Sequence, residues 1–194
     1  KWLSDFVRDI PFLASHRNWW LFSLIDELGR PKNWASGSLV VLLIASFSLY
    51  LKRGNRLRQQ WVLYAGRIFC SVAATSFFVT LIKQIAGRYR PYNVTADNEI
   101  TFYSFNLLQG GINKLASMPS GHAANAAAIF FALYFINAKG KHNIYVLLFG
   151  LLVMAQRVIT LNHYFSDLVA GFGFGLLGAY LALWFWRNFI KIGQ

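Results

Sequence analysis

Residues 168 to 186 read Leu-Val-Ala-Gly-Phe-Gly-Phe-Gly-Leu-Leu-Gly-Ala-Tyr-Leu-Ala-Leu-Trp-Phe-Trp, without a single charge. A run of this length matches the roughly 20 apolar residues that an α-helix needs to cross a bilayer, where each backbone amide must be satisfied inside its own segment. Working outward, further uncharged runs occupy Asn33 to Leu51 and Leu115 to Ala138, the latter with His122 as its one titratable group. Two more are broken by one arginine near an end: Trp61 to Ile82 holds Arg67, and Asn143 to Leu161 holds Arg157. Arginine so placed can snorkel to the surface or serve a site. Of the 194 residues, 56% are hydrophobic and 18% aromatic but only 13% charged, a composition of the membrane class. The expected fold is all-α, an integral membrane helical bundle with five spans, forming a single domain over residues 1–194.

The formal charge of +12 suggests nucleic acid until its placement is considered. Lys52, Arg53, Arg56 and Arg58 share one short loop, Lys139 and Lys141 another, and Arg187 and Lys191 the tail, and no acid accompanies them. Under the positive-inside rule these loops are cytoplasmic, and the assignment alternates consistently across all five spans. The charge is therefore read as topology plus attraction to anionic lipid, with no nucleic-acid partner and no obligate protein partner expected. Cys70 is the one cysteine, so neither an internal disulfide nor a cysteine metal cluster can form.

Residues 1–33 mix Asp5, Arg8, Asp9, His16, Arg17, Asp26 and Glu27 with apolar Trp2, Leu3, Phe6, Val7, Ile10 and Leu13 at helical spacing, followed by Trp19 and Trp20. This pattern predicts interfacial amphipathic helices on the outer face, with tryptophans at headgroup level and no chemistry of their own. Residues 92–118 are expected to form a long extracytoplasmic loop at the membrane rim.

Charges that the topology rule does not want gather at the outer ends of the spans. Lys83, Arg88 and Arg90 follow the second span, and Met118-Pro119-Ser120-Gly121-His122 opens the third at a helix start. Arg157 closes the fourth, and His163 and Asp167 precede the fifth, four residues apart. If both lie on a helix, that spacing stacks them on one face, so the carboxylate orients the ring. The alanines after His122 and Gly171, Gly173, Gly175 and Gly178 after Asp167 give two helices small enough to pack closely, which would put both histidines in one pocket. Phosphate is the ligand that uses fixed cations, a helix N-terminus and two histidines together. A metal fits poorly, since several cations surround two histidines and one carboxylate; no cofactor is expected.

Lys83 with Arg90-Pro91, then Pro119-Ser120-Gly121-His122, then Arg157 with His163 and Asp167 resemble the three signature motifs of the type 2 phosphatidic acid phosphatase family, in the family's order. The resemblance spans about the C-terminal two thirds of the chain. It implies that His163 attacks phosphorus and becomes phosphohistidine, held by Asp167. His122 would be the general acid and base, and Lys83, Arg90, Ser120, Gly121 and Arg157 would bind the phosphoryl oxygens. Arg88, at a variable position of the first motif, is read as a solvated or headgroup-facing charge. One departure is Gln156, where the family usually has Ser. Family members have six spans as a rule, so five imply that the first is missing here or replaced by the amphipathic segment.

The function so implied is a metal-independent membrane phosphatase acting on a lipid phosphate monoester or pyrophosphate, with its site on the periplasmic or exterior face of the inner membrane. Substrate candidates are phosphatidylglycerol phosphate, undecaprenyl pyrophosphate, phosphatidate and the phosphate of lipid A; the stretch from His163 to Asp167 is similar to bacterial lipid A phosphatases in the family. A phosphotransferase using the same phosphohistidine is the near alternative. An anion transporter is the distant one, disfavoured because few polar residues continue below the outer ends.

Overall fold

The computed structural model describes residues 6, 9, 10, 19–51, 56–94 and 115–189. Their helices are α1 (Trp20–Gly29), α2 (Pro31–Leu51), α3 (Arg56–Ala86), α4 (Gly121–Ile136), α5 (His142–Ile159) and α6 (Phe165–Phe189), with a 3-10 turn at Pro91–Asn93. The all-α bundle is as expected, and each of the five apolar runs contains a helix. Among the described residues, three segments are long and apolar enough to cross a membrane: Gln59–Ala86, His142–Ile159 and Phe165–Phe189. The apolar α4 is shorter, because the run from Leu115 to Ala138 is not helical throughout. Its first residues instead approach α4 as a turn tied to the segment after α3, where Ala116 bridges to Arg88 and the Ser117 amide donates to the Arg88 carbonyl at 3.1 Å. Residues 1–5, 7, 8 and 11–18 of the amphipathic segment expected over 1–33, and the loop interior at 95–114, lie outside the described residues.

The most extensive helix contact joins α4 to α6. Ala123, Ala124, Ala127 and Ala128 are buried on one side and Gly171 and Gly175 on the other, while Gly178 is buried against α3. The approach is backbone to backbone. A Cβ built on Gly171 would meet the Ser120 carbonyl, one on Gly175 would lie 2.8 Å from the Ala128 nitrogen, and one on Gly178 would lie 3.0 Å from the Ser71 carbonyl of α3. Gly173, on the opposite face, has open space around it. Large apolar side chains such as Ile44, Phe47, Leu148, Leu152, Val169 and Tyr180 are exposed, as expected of helices surrounded by lipid tails.

Two backbone features aim the ends of these helices. Gly87, at φ 46°, takes the left-handed conformation that ends α3 at little steric cost and releases Arg88 to Arg90 as an extended strand-like segment. Leu161 takes φ 55° without that advantage, so its side chain, buried at 2% exposure, anchors the bend after α5. The Leu161 carbonyl accepts from the Tyr92 amide at 3.2 Å, joining this bend to the segment after α3.

Candidate active site

At the end of the bundle where α3 and α5 finish and α4 and α6 begin, a cavity of about 300 Å³ opens. It is lined by Lys83, Arg90, Gly121, His122, Arg157 and His163, with walls from Pro31, Thr75, Val79 and Asn125 among others. Six of the eight site residues expected from sequence thus meet in one space. Ser120 and Asp167 stand behind it. Ser120 is fully buried and caps α4, its hydroxyl accepting from the Ala123 amide at 3.5 Å while its own amide donates to the Asp167 carbonyl at 2.9 Å. Gly121, the first residue of α4, therefore presents a helix N-terminus to the cavity.

His163 does not share a helix with Asp167, contrary to the expectation from their spacing. It lies in the turn between α5 and α6, its amide donating to the Arg157 carbonyl at 3.3 Å. Asp167 sits in the first turn of α6, where one oxygen accepts the Tyr164 amide at 2.9 Å in the manner of a capping box, and the Ser117 hydroxyl at 2.6 Å. That oxygen is 3.7 Å from His163 Nδ1, too far for a hydrogen bond but close enough for charge to be felt. His163 is 3% exposed, and burial pushes its pKa down from 6.5 to about 4. Asp167 opposes that shift, while the cations Lys83 and Arg90 add to it. The ring is neutral at neutral pH, with a lone pair available.

Arg88 departs from its expected solvated position. It is buried, donates to Asp167 Oδ1 at 2.5 Å and to Ser166 Oγ at 2.7 Å, and lies 4.1 Å from the centre of the Tyr164 ring. Of the first-motif cations, Lys83 and Arg90 reach the cavity; Arg88 turns behind it and fixes Asp167. Arg90 also donates to the Asn162 side-chain carbonyl at 3.2 Å.

His122, on the first turn of α4, has Nε2 2.9 Å from Arg157 Nη2 and 3.0 Å from Asp26 Oδ1. Arg157 ion-pairs with the same Asp26, and Arg30 holds Asp26 Oδ2 at 2.9 Å. Asp26 comes from α1, part of the segment expected to be a surface strut without chemistry. Polar bonds seat α1: Asn125 donates to the Gly29 carbonyl at 3.2 Å, and Gln156 to the Phe22 carbonyl at 3.3 Å. Gly29 is needed there, since a Cβ would lie 2.8 Å from His122 Cδ2. Gln156 is thus directed at α1. Sequence reasoning missed Asp26 because no fixed spacing ties it to the motifs; the available signal was an acid pair, Asp26-Glu27, on a face otherwise supplied with cations.

Fold and site together define a helical membrane protein with a cationic, histidine-bearing pocket at one end of its bundle. The chain belongs to the PAP2 superfamily, whose sequence pattern matches residues 64–191. It is 27% identical over 185 residues to a protein of Rhizobium etli named lipid A 1-phosphatase, a match covering 89% of this chain and 75% of the relative. A protein of the same name from Rhizobium johnstonii is 27% identical over 134 residues, 68% of this chain and 52% of that protein, so the match spans about half the latter's length. No solved structure matches the chain.

Proposed function

We propose that this chain is a metal-independent membrane phosphatase that hydrolyses a lipid phosphate through a phosphohistidine, with its site on the outer face of the membrane. The observation that carries this reading is the convergence of three cations, a helix N-terminus and two histidines on one cavity of phosphate-accommodating size. Lys83, Arg90, Arg157 and the Gly121 amide bind the phosphoryl oxygens and neutralise charge that grows in the transition state, a task that a divalent ion performs elsewhere. Ser120 serves by fixing that amide. The neutral His163 attacks phosphorus with Nε2, the nitrogen turned away from Asp167, as the bond to the lipid oxygen breaks. Asp167, held by Arg88 and Ser117, offsets the positive charge that the ring acquires. His122 gives its proton to the leaving oxygen, then takes one from water, whose oxygen attacks phosphorus and breaks the N–P bond to free phosphate.

The outer-face assignment is supported by the basic residues Lys139 and Lys141, which follow α4 at the end away from Gly121. A site at helix ends lets a lipid present its phosphate while its tails stay in the bilayer. Among the candidate substrates, the names of the two relatives favour a lipid A phosphate. The test is phosphate release by the detergent-solubilised protein from a panel of lipid phosphates in excess chelator. Release is expected for wild type and none for His163→Ala; activity surviving that substitution, or requiring added divalent metal, overturns the mechanism, and transfer to a lipid acceptor without free phosphate makes it a phosphotransferase.

A further inference from the structure

Asp26 lies outside the stretch that matches the superfamily pattern, yet its carboxylate reaches the site. Among the described residues it is the carboxylate in contact with His122, at 3.0 Å from Nε2, and its main-chain oxygen is 3.2 Å from the same nitrogen. The other charges around that ring are mostly positive. Lys83 comes from α3, Arg90 from the segment after it and Arg157 from α5, while α1 brings Arg30 together with Glu27, which pairs with Arg30 at 3.0 Å. A proton on His122 therefore meets repulsion from three sides, and the Arg157 donor at 2.9 Å competes for the lone pair to which it must bind. A general acid cannot work unless its ring is charged, with a proton to give, at the moment the leaving oxygen departs.

We infer that Asp26 is a positioning residue for the second histidine, accepting the Nε2 proton of His122 so that the charged ring is retained and oriented toward the leaving group. The inference rests on the acid role given to His122 above. It makes the two histidines symmetric in their support: Asp167 stands behind the nucleophile, and Asp26 stands behind the acid. The seating of α1 serves this placement. Asn125 holds the Gly29 carbonyl, Gln156 holds the Phe22 carbonyl, and the missing side chain at Gly29 lets α1 lie against the His122 ring. Asp26 keeps the Nε2 proton while the proton passed to the leaving oxygen is the one on Nδ1, which the attacking water restores in the second step, so no external reactant is required. Asp26 also contacts Arg157, so a carboxylate that merely competes with phosphate for the anion position is the rival reading.

Leaving-group dependence separates these readings. An aryl phosphate such as p-nitrophenyl phosphate departs without protonation, whereas a lipid alkoxide requires it. Asp26→Asn is expected to slow first-turnover release of the leaving group from a lipid phosphate monoester by about tenfold or more, a part of the roughly 10²–10⁴-fold that general acid catalysis contributes. First-turnover release of p-nitrophenolate and inhibition by inorganic phosphate should both stay within about threefold, since the asparagine oxygen still meets Arg157 and the phosphate-binding groups themselves are unchanged. Asp26→Glu should recover most of the lipid activity. Equal loss on both substrates with weakened phosphate inhibition would show that Asp26 merely holds the fold and overturns the inference. So would tighter phosphate inhibition with kcat preserved, which marks Asp26 as an occupant of the anion site. His122→Ala tests the underlying reading separately, in the first turnover before water attacks: if release of the leaving group slows equally for both substrates, the acid role fails and Asp26's with it. If His122→Ala shows the dependence and Asp26→Asn does not, only the inference on Asp26 is lost.

Discussion

Replacing Arg88 by alanine removes three interactions at once: the 2.5 Å ion pair with Asp167, the 2.7 Å bond to Ser166 and the stack on Tyr164. What remains is a fully buried carboxylate still bonded to the Ser117 hydroxyl and the Tyr164 amide, but with its ion-pair partner gone. Breaking one half of a buried pair costs about 3–5 kcal/mol, because the orphaned charge has no water to return to. Arg88 is only 8% exposed, so solvent screens little of this. At about 2–4 °C per kcal/mol for a chain of this size, the midpoint of thermal unfolding should fall by roughly 10 °C. Arg88→Lys should recover part of the loss, since an ammonium keeps the charge but cannot serve Asp167, Ser166 and the ring together. Arg90→Ala is the control: it removes a cavity-facing cation and should weaken phosphate inhibition while leaving the melting point within a few degrees. The assay is thermal unfolding in detergent, paired with inhibition by inorganic phosphate. An Arg88→Ala protein that melts like wild type but has lost affinity for substrate would show that Arg88 faces the ligand, refuting the buried pair.

The pH dependence of stability has a definite sign around His163. Its ring stays neutral in the folded protein down to about pH 4, while in the unfolded chain it takes up a proton near 6.5, so the unfolded state binds more protons between these values. Stability supplied by the neutral ring is therefore complete above about pH 6.5 and lost as pH falls toward 4; unfolding measured across that window should show a slope that His163→Asn flattens, and an unchanged slope would contradict it. Along the α4–α6 seam, Gly175→Ala brings a methyl to 2.8 Å from the Ala128 nitrogen and should cost about 1–3 kcal/mol, whereas Gly173→Ala meets open space and should be neutral or slightly stabilising. Equal effects of the two substitutions on thermal unfolding would show that the seam is not packed as described.

Much of this architecture can be read from the chain because lipid imposes a simple rule: uncharged runs become helices, and small residues within them become contacts. Leu168 to Trp186 and its glycines obey it. The rule fails at the ends of runs, where hydrophobicity does not distinguish helix from buried turn. Leu115 to Ser120 is as apolar as a helix start, yet it is spent on reaching Arg88 and Asp167. Likewise the spacing of His163 and Asp167 fits a helix as well as it fits a bend, and only the left-handed Leu161 between α5 and α6 separates the cases. Lys83, Arg90, His122, Arg157 and His163 could be collected in advance because topology places their helix ends on one side. Asp26 and the inward turn of Arg88 depend on how α1 and the segment after α3 lie in three dimensions, which no local spacing encodes.

The seam between α4 and α6 joins the helix carrying His122 to the helix that holds Asp167. Alanine and glycine bring no side-chain rotamers to it, so closing the seam freezes almost no side-chain entropy. The same feature removes compliance: with carbonyls and methyls in direct contact, no long side chain can re-orient to absorb a shift. Differences in bilayer thickness must then be taken up elsewhere, by tilt of α2 at the periphery or by the lipid itself. The spacing between the histidine at the head of α4 and the carboxylate at the head of α6 becomes a property of the main chain, insulated from the membrane in which the protein sits.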